Sequence, residues 1–384
     1  MPEINIALIG HMFMGKAHSN AYRQVRRFFP GKLTPRMKVL CGKASAEELE
    51  ATARQFGWEE FEGDWRKVIE RKDIDVVDVA TPGYLHHPMV IAAAQAGKHI
   101  LCEKPLANSL AEAKEMLRAV EKAGVKHYVN FNYRRVPAVA FAKKLIEEGR
   151  LGQIYHYHGA YFQDWIMDPN FPLVWRLEKK YSGSGALGDI GSHAADLAQY
   201  LNSDIEAVTG KLTTFIKERP LVGQTGGGLG AVAGKSRGRV TVDDDANFLV
   251  RFRNGSVGVI QTSRFANRKN ANTFEICGSK GSLAYNQERM NELEFFDRTE
   301  PAVRQGFKTI MVTEPEHPYS GAWWPAGHII GYEHPFVHAI HDFLACLEND
   351  RMPEPSFREG VKVQAVLDAV ERSNKSGRWE KVRV

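Results

Sequence analysis

Lys104 stands in the run Ile100-Leu-Cys-Glu-Lys-Pro105, and Asp189 and His193 follow at D-x-x-x-H spacing. Lysine, histidine and aspartate are groups that can take a proton from an alcohol while its hydride leaves. Lys104 follows a strand-like run and precedes a proline, so its backbone is held. Its side chain can then point from the carboxyl edge of a sheet, where ligands bind in open α/β folds. Residues four apart on a helix share a face, which lets Asp189 and His193 enter one pocket. Taken singly, each has a plainer reading: Lys104 as a surface lysine paired with Glu103, Asp189 as a helix cap, His193 as a satisfied core residue.

Such groups need elements to bring them together. The first third of the chain alternates short β-branched runs with helical patterns, as in a parallel sheet covered on both faces. Strands are expected at residues 4–9, 38–41, 75–80, 99–102 and 127–132, and helices at 16–28, 47–56 and 110–123. Ser45-x-x-Glu48 and Ser109-x-x-Glu112 read as capping boxes. Between the first strand and its helix lies Gly10-His11-Met12-Phe13-Met14-Gly15. Its outer glycines have the spacing of a dinucleotide-binding turn, where backbone approaches a pyrophosphate at a helix N-terminus, although Met12 takes the middle glycine position. An NAD site usually shows an acid at the end of the second strand. Here the chain reads Cys41-Gly42-Lys43, so Lys43 either attracts a 2′-phosphate or is a solvated loop lysine, and NADP stands beside NAD as cofactor.

After Arg134 the pattern changes to one helix opened by Pro137 and then long alternating strands, such as 154–165 and 246–252, that imply an antiparallel sheet. The expected fold is α/β: a Rossmann dinucleotide-binding domain with a doubly wound parallel sheet over residues 1–134, and a substrate-binding and oligomerisation α/β domain with a large open, mostly antiparallel sheet over 135–384. Asn254-Gly255 reads as a hairpin turn and Gly278-Ser-Lys-Gly281 as a second tight turn. A helix with Asp189 near its start is expected to carry residues 192–201, after a Gly185-Ala-Leu-Gly188 run that offers room for a ligand. Helices return at 335–347 and 357–372. The glycine-rich stretch 222–235, with Gly226-Gly-Gly228, follows no strand-to-helix pattern and reads as a mobile loop.

The chain has 384 residues, 43% hydrophobic and 25% charged, which suits two folded domains and requires no disorder. Its net charge of +5 is scattered in short pairs such as Arg26-Arg27 and Lys179-Lys180, and no basic tract marks a nucleic-acid partner. The four cysteines show no C-x-x-C spacing, so a reducing compartment is the simpler expectation. With no leader-like stretch at the start and no apolar run of membrane-spanning length, the expected location is the cytoplasm. His328 and His334 match no metal motif, and no metal is expected.

Six motifs in order, at Gly10, Ala80-Thr81-Pro82, Glu103-Lys104-Pro105, Asn132-Tyr-Arg-Arg135, Trp175-Arg176 and Gly188-Asp-Ile-Gly-Ser-His193, resemble the Gfo/Idh/MocA oxidoreductases. Within that family, Tyr161-Phe-Gln-Asp-Trp165 and Gly185-Ala-Leu-Gly-Asp189 look most like the levoglucosan dehydrogenase group, which oxidises a ring hydroxyl of sugars or glycosides. Gly83 departs from the family pattern, which has asparagine there, while His86 is kept. The resemblance implies that Lys104, Asp189 and His193 surround the reacting hydroxyl. His193 would be the general base, Lys104 would polarise the alcohol and relay the proton, and Asp189 would fix the hydroxyl, with Lys104 and His193 able to exchange roles. Gly10, Met12, Phe13, Met14, Gly15, Lys43, Thr81, Pro82, His86, Glu103, Lys104, Asn132, Trp175 and Arg176 would hold the cofactor.

Sugars present apolar faces between hydroxyls, so their pockets join aromatic plates to hydrogen-bonding side chains. Tyr133, Arg135, Tyr161, Gln163, Trp165, Arg176 and His334 are the candidates, with His317-Pro-Tyr319 and Trp323-Trp324 as a loop closing over them. The expected reaction is NAD(P)-dependent oxidation of a secondary hydroxyl of a sugar, anhydrosugar, glycoside or cyclitol to a ketone. Two other readings use the same residues: redox-neutral sugar conversion or glycoside cleavage around a bound cofactor, and a sugar or dinucleotide sensor without chemistry. An open sheet needs a cover, which implies a homodimer or homotetramer.

Overall fold

A computed structural model describes residues 2–225 and 231–384. The first sheet contains β1 (Glu3–Ile9), β2 (Thr34–Cys41), β3 (Glu60–Glu62), β4 (Val76–Val79), β5 (His99–Cys102) and β6 (His127–Val129). Its order is β3-β2-β1-β4-β5-β6, with every pair parallel. The order reverses between β1 and β4, and a doubly wound sheet opens its ligand crevice at the carboxyl ends of such strands. Ile6, Ala7, Leu8 and Ile9 are all buried, because this sheet is covered on both faces.

The helices are α1 (Phe13–Phe28), α2 (Ala46–Phe56), α3 (Trp65–Glu70), α4 (His86–Gln95) and α5 (Leu110–Ala123). The serines of both expected capping boxes act, but only by half. Ser45 Oγ accepts from the Glu48 N–H and Ser109 Oγ from the Glu112 N–H, each at 3.2 Å, a type of cap worth about 1 kcal/mol. The reciprocal box forms elsewhere, at Ser356 and Glu359. Some elements and boundaries differ from expectation: helices α3 and α4 were not foreseen, and β2 begins at Thr34, four residues before its expected start at 38. Strand β3 was not foreseen, being only three residues with no readable period. The stretch expected as strand through residue 132 instead ends at Val129, and Asn132–Arg135 form a 3-10 turn.

The second body carries α6 (Pro137–Glu147), β7 (Ile154–Gln163), α7 (Lys179–Ser182), α8 (Ala186–Asp189), α9 (Gly191–Leu201) and β8 (Ile205–Thr213). These are followed by β9 (Glu218–Thr225), β10 (Ala231–Arg239), β11 (Asp245–Phe252), β12 (Val257–Ser263), β13 (Asn270–Gly278), β14 (Gly281–Asn286), β15 (Glu292–Asp297) and β16 (Phe307–Met311). Two long helices and a short strand finish the chain: α10 (His334–Glu348), α11 (Phe357–Ser376) and β17 (Glu380–Lys381). The large sheet runs β16-β15-β14-β13-β7-β12-β11-β8-β17, antiparallel except for the β7–β12 pair. Asn254-Gly255 turns β11 into β12, and residues 278–281 turn β13 into β14, as their sequences require.

Three features correct the sequence reading. The stretch 222–235 is not simply a loop: β9 and β10 pair as a two-stranded arm, while Gly226-Gly-Gly228 lies outside the described residues. Asp189 and His193 do not share one unbroken helix, because α8 ends at Asp189 and α9 starts at Gly191. The 317–324 aromatics do not close over the crevice. Trp323 packs on Phe28 at the end of α1 and on Phe29 just after it, and the Tyr319 hydroxyl donates to Asp342 at 2.8 Å. Helix α10 likewise packs on the first sheet, where Phe336, Ile340 and Phe343 join Ile6, Leu8, Tyr22 and Val25 in one core. Each such burial stabilises by roughly 1.5–3 kcal/mol, so the end of the chain locks onto its beginning.

Candidate active site

A cleft of about 1240 Å³ lies between the two bodies, lined by the ends of β1, β2, β4 and β5 on one side and by β7, α8 and α9 on the other. Pockets for small ligands usually measure about 300–1,000 Å³, so this one has room for a dinucleotide and a second molecule. Gly10 adopts φ +127°, and a Cβ there would meet the Ala80 carbonyl at 2.4 Å. A Cβ on Gly15 would meet the Gly10 carbonyl at 2.0 Å. The turn is therefore as tight as a phosphate-binding turn needs, and the N-terminus of α1 carries no side-chain cap, leaving its N–H groups for an anion. Met12 does not block the approach: it and Phe13 stand half out in solvent at the cleft wall. The residues fit a dinucleotide.

Met14, Lys43, Thr81, Pro82, Glu103, Asn132, Trp175 and Arg176 also line the cleft. Gly15 does not, serving instead the packing just described. His86 is placed differently from its expected cofactor contact. It is buried, with Nε2 at 2.9 Å from the Thr81 carbonyl and Nδ1 at 3.1 Å from that of Pro105, and so ties the loop after β4 to the loop that carries Lys104.

The proton-transfer candidates meet at the same cleft. Lys104 Nζ donates to the Asp189 carbonyl at 3.0 Å and to Asp189 Oδ1 at 3.3 Å. Burial alone would raise the Asp189 carboxyl, but Lys104, Arg264 and Arg176 hold it well below the usual carboxylate range. His193 goes the other way: burial, seconded by Lys104, pushes its pKa well below that of an ordinary histidine and keeps the ring neutral. Its ring packs on Tyr133 with centroids 4.4 Å apart. Tyr133 and Tyr161 share a hydroxyl–hydroxyl bond of 2.9 Å, Gln163 donates to Tyr161 Oη, and Trp165 Nε1 donates to Gln163 Oε1 at 3.1 Å. These four side chains form one hydrogen-bonded wall.

Arg135 and His334 lie off the cleft, contrary to the sequence reading. Arg135 is ion-paired with Asp342 at 2.8 Å, because the 3-10 turn after β6 aims it at α10. His334 sits at the start of α10 against Trp323. Nor does Gly185 make room for a ligand. A Cβ there would run into the Asp243 backbone, while the Asp243 carboxylate caps the N–H groups of Gly185 and Leu187.

The structure adds groups that sequence reasoning missed. Arg264 follows β12 and donates from Nη2 to Asp189 Oδ2 at 2.9 Å. Its one sequence signal is a charge at the end of an apolar alternating strand, Val257-Gly-Val-Ile-Gln-Thr-Ser-Arg264. Tyr332 stacks on Phe13 across the cleft mouth with centroids 6.4 Å apart. Asn270 accepts from Gln163 at 3.1 Å and so fixes the polar wall. Beneath the cleft, His18 bridges Asp78 at 2.8 Å and Glu103 at 2.9 Å.

A glycine turn at the switch point of a doubly wound sheet, sharing one cleft with a lysine–carboxylate pair and a neutral histidine, defines a two-body dinucleotide-dependent oxidoreductase. Known proteins agree. Residues 4–131 match the oxidoreductase family with an NAD-binding Rossmann fold, and residues 139–284 match the GFO/IDH/MocA C-terminal domain. The chain belongs to the Gfo/Idh/MocA family of oxidoreductases. It is 46% identical to a levoglucosan dehydrogenase of Pseudarthrobacter phenanthrenivorans, over 99% of this chain and 98% of that protein. The crystal structure of an oxidoreductase domain protein from Kribbella flavida superposes with a TM-score of 0.95 at 50% identity, covering 100% of both chains. A levoglucosan dehydrogenase in complex with NADH and levoglucosan gives 0.93 at 44% identity, covering 99% of each. No described helix is long and apolar enough to cross a membrane.

Proposed function

We propose that this protein oxidises a secondary ring hydroxyl of a sugar, anhydrosugar, glycoside or cyclitol to a ketone, with NAD as partner. The observation that carries the reading is the meeting of Lys104, Asp189 and neutral His193 in the cleft that also holds the glycine turn. NAD, when bound, supplies the acceptor for the hydride that leaves the carbinol carbon as the C=O bond forms. His193 takes the hydroxyl proton, since its neutral imidazole has a nitrogen lone pair free to accept it. Lys104 has three N–H donors and spends two on Asp189, leaving one for the substrate oxygen. Both carboxylate oxygens of Asp189 are engaged by Lys104 and Arg264, which favours its orienting the lysine over its gripping the substrate itself.

Gly10, the N-terminus of α1, Thr81 and Pro82 would hold the dinucleotide, with Asn132, Trp175 and Arg176 lining the same cleft. The wall of Tyr133, Tyr161, Gln163 and Trp165 offers both ring faces and hydroxyl partners, as a carbohydrate requires. In this reading residues 1–134 hold most of the cofactor and 135–384 most of the substrate, with Lys104 and Tyr133 reaching the substrate from the first part and Trp175 and Arg176 the cofactor from the second. The exposed Leu249 and Val257, on the same face of the large sheet at neighbouring register positions of β11 and β12, are covered by a second copy. The relative that acts on levoglucosan makes an anhydrosugar the first substrate to try.

Purified protein given NAD and a panel of sugars, anhydrosugars and cyclitols should develop the absorbance of reduced nicotinamide. A Lys104→Ala variant that kept full activity would overturn the assignment, as would glycoside cleavage without net reduction of NAD.

A further inference from the structure

Arg264 is only 1% exposed, although it carries a full charge. Its Nη2 donates to Asp189 Oδ2 at 2.9 Å and to the Gly185 carbonyl at 3.1 Å. The other carboxylate oxygen, Oδ1, accepts from Lys104 Nζ at 3.3 Å. Asp189 is therefore a bridge with one cation on each oxygen. The remaining Arg264 nitrogens, Nε and Nη1, are buried and have no hydrogen-bond partner among the described residues. The Trp165 ring, 5.4 Å from the guanidinium carbon, covers one side.

Such an arrangement is poor value for folding. Orphaned buried donors are costly, and a buried ion pair often stabilises a fold no more than well-packed apolar side chains of the same volume would. Packing alone therefore does not account for an arginine at this position. What the arginine does that methionine could not is fix one oxygen of a carboxylate whose other oxygen holds Lys104.

We propose that Arg264 is a positioning residue of the hydroxyl-oxidising site, acting through Asp189: it pins Oδ2 so that Oδ1 stays on Lys104 and the lysine stays aimed at the substrate. The inference rests on the proposed reading that Lys104 works on a substrate hydroxyl. Asp189 is faced by Lys104 from the loop after β5, Arg264 from the end of β12, Arg176 from the 3-10 turn at Trp175–Leu177, and His193 from α9. Without Arg264, burial would count for more and the Asp189 carboxyl would move up. On acidification it would then take a proton at a higher pH than in the native protein and release Lys104.

The test compares Arg264→Met, Arg264→Gln and Arg264→Lys with the native protein, in turnover of the best panel sugar from about pH 5 to about pH 9. NADH affinity is read by nicotinamide fluorescence, and melting temperature by scanning. Arg264→Met should lose roughly 10²-fold in kcat, the cost of misplacing a catalytic group by about 1 Å. Its acid limb should begin at higher pH, its NADH Kd should stay within about twofold, and its melting temperature should fall, because one partner of a buried ion pair is removed while Asp189 stays. Arg264→Lys, which restores a cation near Oδ2, should recover part of the rate. If Arg264→Met does not fold, Arg264→Gln is read by the same criteria. Unchanged kcat and pH profile, or losses of NADH binding in step with kcat, would overturn the proposal. Should the native protein turn over no sugar or cyclitol, the functional reading falls and this inference with it; native turnover with an unaffected variant sinks the inference alone.

Discussion

His18 and His193 are both buried histidines near Lys104, and they carry opposite charge states. His18 lies under the first sheet's crevice with each ring nitrogen on a carboxylate, Asp78 at 2.8 Å and Glu103 at 2.9 Å. Burial alone would lower its pKa, but those two carboxylates push it up to about 10. His193 has aromatic rings around it and a lysine nearby, and stays neutral. The charges around His18 are all engaged: Tyr22 donates to Asp78 at 3.0 Å, Asn130 to Glu103 at 2.6 Å, and the Glu103 carboxylate accepts the Lys104 backbone N–H at 3.1 Å. Adjacent residues thus serve different ends, Glu103 tying the backbone into the sheet while Lys104 sends its ammonium into the cleft. Charge that builds the scaffold is paired until nothing is left over. Charge that does chemistry keeps a donor or a lone pair unspent.

The comparison breaks most visibly at His18. His18→Gln removes the cation between two buried carboxylates, and losing one partner of such a group costs roughly 3–5 kcal/mol. Chemical denaturation should show that loss; a change under about 1 kcal/mol would mean that packing, and not charge, holds the cluster. His193→Asn should do the reverse, lowering kcat by about 10²–10³-fold with little change in stability, since a neutral side chain is removed from an aromatic surround. Steady-state kinetics beside a thermal melt would separate the two residues. Equal damage to both properties in both variants would dissolve the distinction.

The elements of the first sheet were the more readable in sequence, because each is set by a local pattern, whereas the cluster around His18 joins residues 60 and 85 positions apart and carried no such signal. Strand β5 at 99–102 and helix α5 at 110–123 fall where periodicity and caps put them, and the Gly10 turn lies between neighbouring elements. The cleft is assembled from residues far apart. Arg264 meets Asp189 from 75 positions away with no motif to link them, and Tyr332 reaches Phe13 from the far end of the chain. Arg135 and His334 had plausible types for a sugar site, but their direction depends on a 3-10 turn and a helix start that no local pattern encodes. The break at Ile190, which separates Asp189 from the helix of His193, follows a helical-looking stretch with no proline to announce it.

Stability against pH extends the comparison to two more buried histidines. His127 accepts the Phe357 N–H on Nδ1 at 3.1 Å, and His338 accepts the Trp323 indole N–H on Nε2 at 2.7 Å, so both are held neutral. Burial, with a smaller push from Arg358, lowers His127 to about 4, and burial lowers His338 to about 3. An unfolded histidine titrates near about 6.5, so below that pH the unfolded chain binds the extra protons. Their contribution is complete above about 6.5 and is lost as pH falls toward the folded values, about 3 kcal/mol for His127 alone. His18 has the opposite sign: its contribution is complete below about 6.5 and is lost as pH rises toward its folded value. Melting temperature should therefore peak near about pH 6.5, with His127→Asn flattening the acid limb and His18→Gln the alkaline one. A plateau from about pH 5 to about pH 9 in the native protein would contradict both assignments.

The smallest effect is expected at the adenosine end, where the two regions meet solvent. No acid follows β2, and the exposed Lys43 lines the cleft together with Arg66 and Asp64. Arg66 lies 3.6 Å from Asp64, which offsets its charge, so Lys43 is the cation left for an added 2′-phosphate. In water a unit pair at about 4 Å is worth about 1 kcal/mol, and salt screens it further. Lys43→Ala should therefore weaken NADP binding by about threefold to tenfold while NAD moves by less than about twofold, and the difference should shrink as salt is raised. Fluorescence titrations with the two reduced cofactors measure it directly. Equal weakening would place Lys43 against the phosphates that both cofactors share, and the missing acid after β2 would then carry no preference for the phosphorylated one.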